Sequence, residues 1–276
     1  MKLYKYMPAE SFEEYIIKGP TIRFTTPGDF NDPFDCMPAV YDFLNPEMRK
    51  NEAIAQHRER AIFIYNLIKP DIDFETFYQN FFANKEYEYY NCIKKLSLNI
   101  ISNKKIINYM FSKLGIFSAS RNNSNILMWS HYAGQHTGIA FSFNSDNEFF
   151  NKIPDDMARF KKVKYYRRRP KRVAEKFIDA EIFFTKSKDW EYEQEFRLML
   201  PLVKQKYYIW EPGGNGVCKI PKTTINSIIF GCMCSNKQID DWRKQLSDNG
   251  GFEHLKFYKA EMDNLEYKLN IVPLEG

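Results

Sequence analysis

Gly115-Ile116-Phe117-Ser118-Ala119-Ser120 and Gly138-Ile139-Ala140-Phe141-Ser142-Phe143 enclose a polar, aromatic segment running from Asn122 to His136. Both flanks alternate apolar and small residues, the pattern of strands packed on a core. The segment between them holds Trp129-Ser130-His131-Tyr132-Ala133-Gly134-Gln135-His136, with two of the chain's four histidines. Two strands carrying such a segment at their junction point to a sheet with a polar candidate cleft beside it.

Working outward, Lys2 to Met7 alternates as a first strand. Pro8 opens a short helix whose face is set by Phe12, Tyr15 and Ile16, and Gly19-Pro20 stops it. Thr21 to Thr25 reads as a strand ending at Pro27-Gly28. Further extended pieces are expected at Lys162–Tyr166, Ile182–Thr185 and Phe196–Pro201. The last quarter reads as strand Ile225–Phe230, helix Lys237–Leu246 capped by Ser235, then strands Leu255–Ala260 and Tyr267–Val272. From 46 to 113 the pattern turns to long helices rich in Asn, Lys, Tyr and Phe. The expected fold is α+β: a mixed, mostly antiparallel sheet core with flanking helices. It forms one domain over 1–276, with a helical insertion at about 46–113 and a strand-helix-strand closing unit at about 222–274.

The 276 residues include 24 Phe and 18 Tyr at 44% hydrophobic content, a composition for a packed core rather than a solvated chain. A net charge of +5 permits nucleic-acid contact without demanding it. Nine of the sixteen residues from Lys161 to Lys176 are Lys or Arg. This run either tracks a phosphate backbone, serving a nucleic-acid or protein acceptor, or is a solvated basic loop. Five cysteines without a Cys-x-x-Cys pair read as reduced thiols, and Cys232-Met233-Cys234 as a buried strand end. No signal core or long apolar run is seen, so a cytoplasmic protein without membrane attachment is expected.

Four clusters carry candidate chemistry. Asn31-Asp32-Pro33-Phe34-Asp35 is a rigid turn offering two carboxylates. Trp129 and Tyr132 are suited to clamp a planar ring, with His131 and His136 as hydrogen-bonding or acid–base groups. Glu193, Glu195 and Arg197 alternate along one strand face if the strand has already begun at 193. Ser118 and Ser120 present two hydroxyls from one side of a strand. The first three have plain structural counterparts, a turn, a packed histidine and an exposed charged face, and the serine pair gains its weight from running into the Asn122 to His136 segment.

The order of Leu3-Tyr4-Lys5-Tyr6, Phe30-Asn31-Asp32-Pro33-Phe34-Asp35, Met128-Trp129-Ser130-His131-Tyr132-Ala133 and Trp190 to Arg197 resembles the prokaryotic domain of unknown function 2971 family. That resemblance implies an accessory or defence-associated bacterial protein, without an assigned reaction. The chain is more distantly similar to ADP-ribosyltransferases. This second likeness implies NAD as co-substrate and a role for Tyr4, Lys5 or Tyr6 in the first strand. It also implies Ser118 and Ser120 as the serine motif, Glu195 as the residue stabilising the oxocarbenium, and Glu193 as the residue orienting or deprotonating the acceptor. The chain departs from that pattern in lacking Arg or His in its first strand, and Arg23 is a poor substitute.

Three functions are therefore weighed. The first is an NAD-consuming transferase or glycohydrolase acting on protein or nucleic acid in a toxin or phage-defence setting. Its catalytic set is Glu195, Glu193 and His131; its binding set is Tyr4, Lys5, Tyr6, Asn31, Asp32, Asp35, Ser118, Ser120, Trp129, Tyr132, His136 and Arg197. The second is a non-catalytic module binding a nucleotide or partner. The third is a metal-dependent nuclease in which Asp32, Asp35, His131 and Glu195 converge.

Overall fold

A computed structural model describes residues 1–36, 39–42, 50–83, 111–152, 159–169, 171–173, 180–202 and 216–274. In chain order these form β1 (Lys2–Met7), α1 (Ala9–Phe12), β2 (Thr21–Arg23), β3 (Ala39–Asp42), α2 (Lys50–Ile68), α3 (Phe74–Phe81), β4 (Leu114–Ser120), α4 (Ile126–Tyr132) and β5 (Ile139–Asn144). They continue with β6 (Lys161–Lys162), β7 (Lys164–Tyr166), β8 (Lys171–Val173), β9 (Thr185–Ser187), β10 (Glu195–Pro201), β11 (Val217–Lys219), β12 (Ser227–Phe230), α5 (Asn236–Asp248), β13 (Lys256–Met262) and β14 (Leu269–Pro273).

An eight-stranded sheet in the order β14-β13-β12-β5-β1-β4-β10-β6 organises the molecule. Within this sheet, among the described residues, only the β12–β13 pair is parallel, and α5 supplies its crossover, while the separate two-stranded pairs β3–β8 and β7–β9 are also parallel. The fold is α+β, with a mixed, mostly antiparallel sheet.

Alternation along the strands divides the core between the two faces. Leu3, Phe117, Phe141, Phe143, Phe196, Leu198 and Phe230 pack on one side with Trp242 of α5. Tyr6, Ala140, Ile229 and Ala260 pack on the other, against Met128, Trp129 and Ala133 in and just after α4. Burying rows of this kind stabilises the sheet by about 1.5–3 kcal/mol for each large apolar side chain. The helix over 236–248 begins where expected: Ser235 Oγ accepts a 3.2 Å bond from the Gln238 amide.

Three expectations need correction. Tyr15 is exposed rather than sharing the buried face of Phe12 and Ile16. After α1 the helix widens into a π-turn over Glu13–Ile17, with Lys18 N bonding Glu13 O, so the buried row runs Phe12, Ile16, Ile17. Ile182 to Phe184 is a 3₁₀ turn, with β9 beginning only at Thr185. All three apolar side chains are buried together, which period-two alternation would not allow. The expected strand Lys162–Tyr166 is broken at Val163, whose amide turns inward to bond Glu195 O at 2.9 Å.

Within the stretch expected to be a helical insertion, α2 and α3 are helical and pack together through Ile64, Ile68 and Phe77. Residues 84–110 of that stretch, Cys92 among them, lie outside the described residues, as do Pro170 and 174–176 of the basic run. No described helix is long and apolar enough to cross a membrane.

Candidate functional site

The sheet opens at its centre. β1 pairs with β5 over six registers but meets β4 at a single one, Tyr4↔Ser120. Beyond that pair the strands diverge, and the ladder groups β4 would offer to β1 need other partners. Lys5 supplies one, its ammonium donating to Ser118 O at 2.9 Å. Thr25 supplies another by bridging to Ile116.

A cleft of about 170 Å³ lies at this opening, lined by Tyr4, Lys5, Tyr6, Asn31, Asp35, Ser118, Ser120, Tyr132, Glu193, Glu195 and Arg197. Thr25, Phe30, Ile116, Ala119, Met128 and Lys186 complete its walls. Apolar cavities of about 150 Å³ accept a benzene-sized ring, so this volume suits one ring with its substituents and not a whole dinucleotide.

Its floor is a web of buried charge. The carboxylates of Asp35 and Glu195 and the guanidinium of Arg197 are each at most 5% exposed. Arg197 donates Nε to Glu195 Oε1 at 2.8 Å and Nη2 to Glu195 Oε2 at 2.9 Å. Nη2 also reaches Asp35 Oδ2 at 2.6 Å, and Nη1 reaches Asp35 Oδ1 at 2.9 Å and Phe183 O at 2.8 Å. All five N–H groups of the guanidinium are thereby used. Arg197 lines the cleft with its guanidinium N–H groups all bonded to protein acceptors, the arrangement of a positioning residue.

Lys186 joins the carboxylates from the other side. Its ammonium is 2.6 Å from Glu193 Oε2 and 3.6 Å from both Asp35 Oδ2 and Glu195 Oε2, beneath the Trp190 ring. Glu193 Oε1 accepts from the Tyr132 hydroxyl at 2.6 Å.

The two glutamates do not share a strand face as expected. Glu193 ends a 3₁₀ turn over Lys188–Glu193, Gln194 takes a left-handed conformation with φ of 45°, and β10 begins at Glu195. This kink presents both carboxylates to Lys186 from different directions. Ser120 Oγ fixes it by donating to Glu193 O at 2.6 Å, and Tyr165 Oη accepts from Glu195 N at 2.8 Å.

The pair is electrostatically divided. Burial disfavours the Glu195 carboxylate, but Arg197, Lys186 and a hydrogen bond from Ser118 overcome it and hold the group at about 2. Burial lifts Glu193 above the usual carboxylate range, with Lys186 opposing and Glu195 reinforcing the rise. Burial also pulls Lys5 below the usual ammonium range, against the attraction of Glu195 and Glu193. At neutral pH Glu195 is a fixed anion, while Glu193 and Lys5 sit closer to proton exchange.

Four expected site residues are not in the cleft. His131 is exposed on α4, its ring 6.4 Å from that of Tyr192. The seven-residue helix turns Met128, Trp129 and Tyr132 inward and leaves position 131 outside. Trp129 is fully buried, edge-on to Tyr6 at 5.2 Å with Nε1 donating to Asn123 O, so it clamps no ligand. Asp32 turns back to its own loop, Oδ1 accepting from Phe34 N at 2.9 Å. His136 faces another groove beside Cys232.

Of the four residues expected to converge in a nuclease, Asp35 and Glu195 line the cleft and Asp32 and His131 are not among its lining residues. Among the described residues no group of three His, Cys, Asp or Glu side chains is placed to hold a metal ion. Lys186, missed as a site residue, lies four positions before the Trp190 to Arg197 stretch. Its signal was one of two nearby lysines, Lys186 and Lys188, seven positions before Glu193, and it shows as a partner only once the 3₁₀ turn folds back.

No curated protein and no solved structure matches the chain. A family model described as protein of unknown function (DUF2971) matches residues 128–198, the segment that carries Tyr132, Lys186, Glu193, Glu195 and Arg197 into the cleft.

Proposed function

We propose that the cleft cleaves an N-glycosidic bond, with NAD as the co-substrate and a protein or nucleic-acid group, or water, as acceptor. The observation that carries this reading is the division of Glu193 and Glu195, two carboxylates in one ring-sized cleft displaced in opposite directions. Carboxylates pushed apart by their surroundings are how one site obtains both a stable anion and a proton acceptor. Glu195, ionised and held by Arg197, lies ready to stabilise positive charge as a sugar ring loses its cationic base. Glu193, raised toward neutrality, takes the proton from the attacking hydroxyl or water. Tyr4 and Asn31 offer ring-edge and hydrogen-bond contacts at the cleft wall. The volume accommodates the departing ring, and the remainder of a dinucleotide extends outside.

Incubating the protein with NAD and cell lysate tests this directly. Release of nicotinamide and transfer of labelled ADP-ribose are expected, with Glu195→Gln abolishing both. Glu193→Gln should cut transfer more than NAD binding. Neither nicotinamide release nor a shift in melting temperature with NAD would remove this reading.

The closed hydrogen bonding of Arg197 favours a second reading, a pocket that recognises a nucleotide without turnover. Its floor needs no rearrangement to remain satisfied. Stabilisation by NAD without nicotinamide release selects it, because a ligand binding only the folded state raises the melting temperature by mass action.

A further inference from the structure

A second group of chemically capable side chains stands on the far side of α4. The Cys232 thiol lies 3.6 Å from His136 Nδ1, 96 positions away in sequence. Both line a groove of about 560 Å³, within the range of small-molecule sites, whose other walls include Ile126, Met233, Met262, Leu265 and Tyr267. These apolar side chains are open to solvent, Met262 being 68% and Leu265 94% exposed, and Asp263, Asn264, Glu266 and Lys268 form the polar part of the same wall. Several exposed apolar side chains gathered in one groove point to a binding site.

The pair is held rather than adventitious. His136 has φ of 70°, its amide donates to Trp129 O, and its carbonyl accepts from Met233 N at 3.1 Å. Gly231 passes so close that an added Cβ would lie 2.0 Å from His136 O. Cys234 Sγ donates to Thr137 O at 2.9 Å and anchors the same crossing. Burial lowers His136 and raises Cys232, so a neutral imidazole faces a protonated thiol.

We propose that Cys232 is a nucleophile served by His136 and that the groove takes an aliphatic acyl chain delivered as a thioester. Cys232 Sγ attacks the thioester carbonyl carbon while its proton passes to His136 Nδ1. The tetrahedral adduct collapses by breaking the bond to the donor's sulfur, which leaves as a thiolate and takes the proton from His136. One thioester is exchanged for another, and no oxidant or reductant is required. A neutral thiol needs such a base in place of a preformed thiolate, and the apolar walls hold the chain.

Incubating the full chain with decanoyl-coenzyme A, followed by intact mass and peptide mapping, tests the proposal. One decanoyl group on Cys232 is expected, absent in Cys232→Ser. His136→Gln should slow its appearance about 100-fold, the usual scale of general-base assistance. Leu265→Asp, at an exposed position, should slow decanoyl transfer at least tenfold more than acetyl transfer from acetyl-coenzyme A. An adduct on another cysteine, no adduct, or an unchanged rate in both variants would overturn the assignment. So would a concentration-dependent dimer that protects the groove without any acylation, which would make its occupant a second copy of the chain.

Discussion

The two halves of the eight-stranded sheet solve burial in opposite ways. The β12–α5–β13–β14 half buries apolar rows and leaves its charges in solvent. The β4–β10 half buries three carboxylates, an arginine and a lysine, and satisfies them with one another. In the first half each contact adds its own increment. In the second the members stand or fall together, because removing one strands the rest without partners.

The comparison breaks hardest at Arg197. Arg197→Met should destabilise the protein by about 3–5 kcal/mol in urea denaturation, the cost of leaving buried charge unpaired. Replacing Asp35, Glu195 and Arg197 together with apolar residues should recover much of that loss. If the single and triple variants cost the same, the web is not cooperative.

Acid provides the next largest effect. Glu195 is depressed from 4.5 to about 2, so the unfolded chain binds its proton first as pH falls. Its contribution, on the order of 3 kcal/mol, is present above pH 4.5 and lost toward pH 2. Glu193, raised by burial, has the opposite sign: the stability it supplies below its unfolded value is lost as pH rises through its folded value. Denaturation midpoints across pH should show a fall at the acid end that is missing in Glu195→Gln, and a decline at the upper end that is missing in Glu193→Gln.

Tyr132→Phe removes a hydroxyl bonded to a buried carboxylate and should cost about 2 kcal/mol, read by the same denaturation. The smallest effect belongs to the other half. Ser235→Ala removes a helix cap for about 1 kcal/mol and should leave the titration of the cleft's carboxylates untouched. A cap variant that altered the cleft would blur the division between the halves.

The same division explains what could be read in the chain. The closing half follows local rules: Ser235 caps, Trp242 and Leu246 fall on one helix face, and Ile228 to Phe230 is a short apolar run, so its elements were legible. β1, β4 and β10 were legible as well, and with them the meeting of Tyr4, Lys5, Ser118 and Glu195 in one cleft. What was not legible depends on partners far away in sequence. Arg197 looked like a ligand-binding cation until Asp35, 162 positions distant, took its donors. His131 and Trp129 carried the chemistry of a site, but the seven-residue helix decides which of its residues face inward. Lys186 needed the 3₁₀ turn and the left-handed Gln194 to reach Glu193.

The central claim is that one cleft holds two carboxylates driven apart by their surroundings, and a carbon-detected NMR titration of the glutamate carboxyl groups tests it most directly. Glu195 is predicted to remain ionised down to about pH 2 while Glu193 takes up its proton above 4.5. Two carboxyl groups titrating together near 4.5, or in the reverse order, would contradict the account.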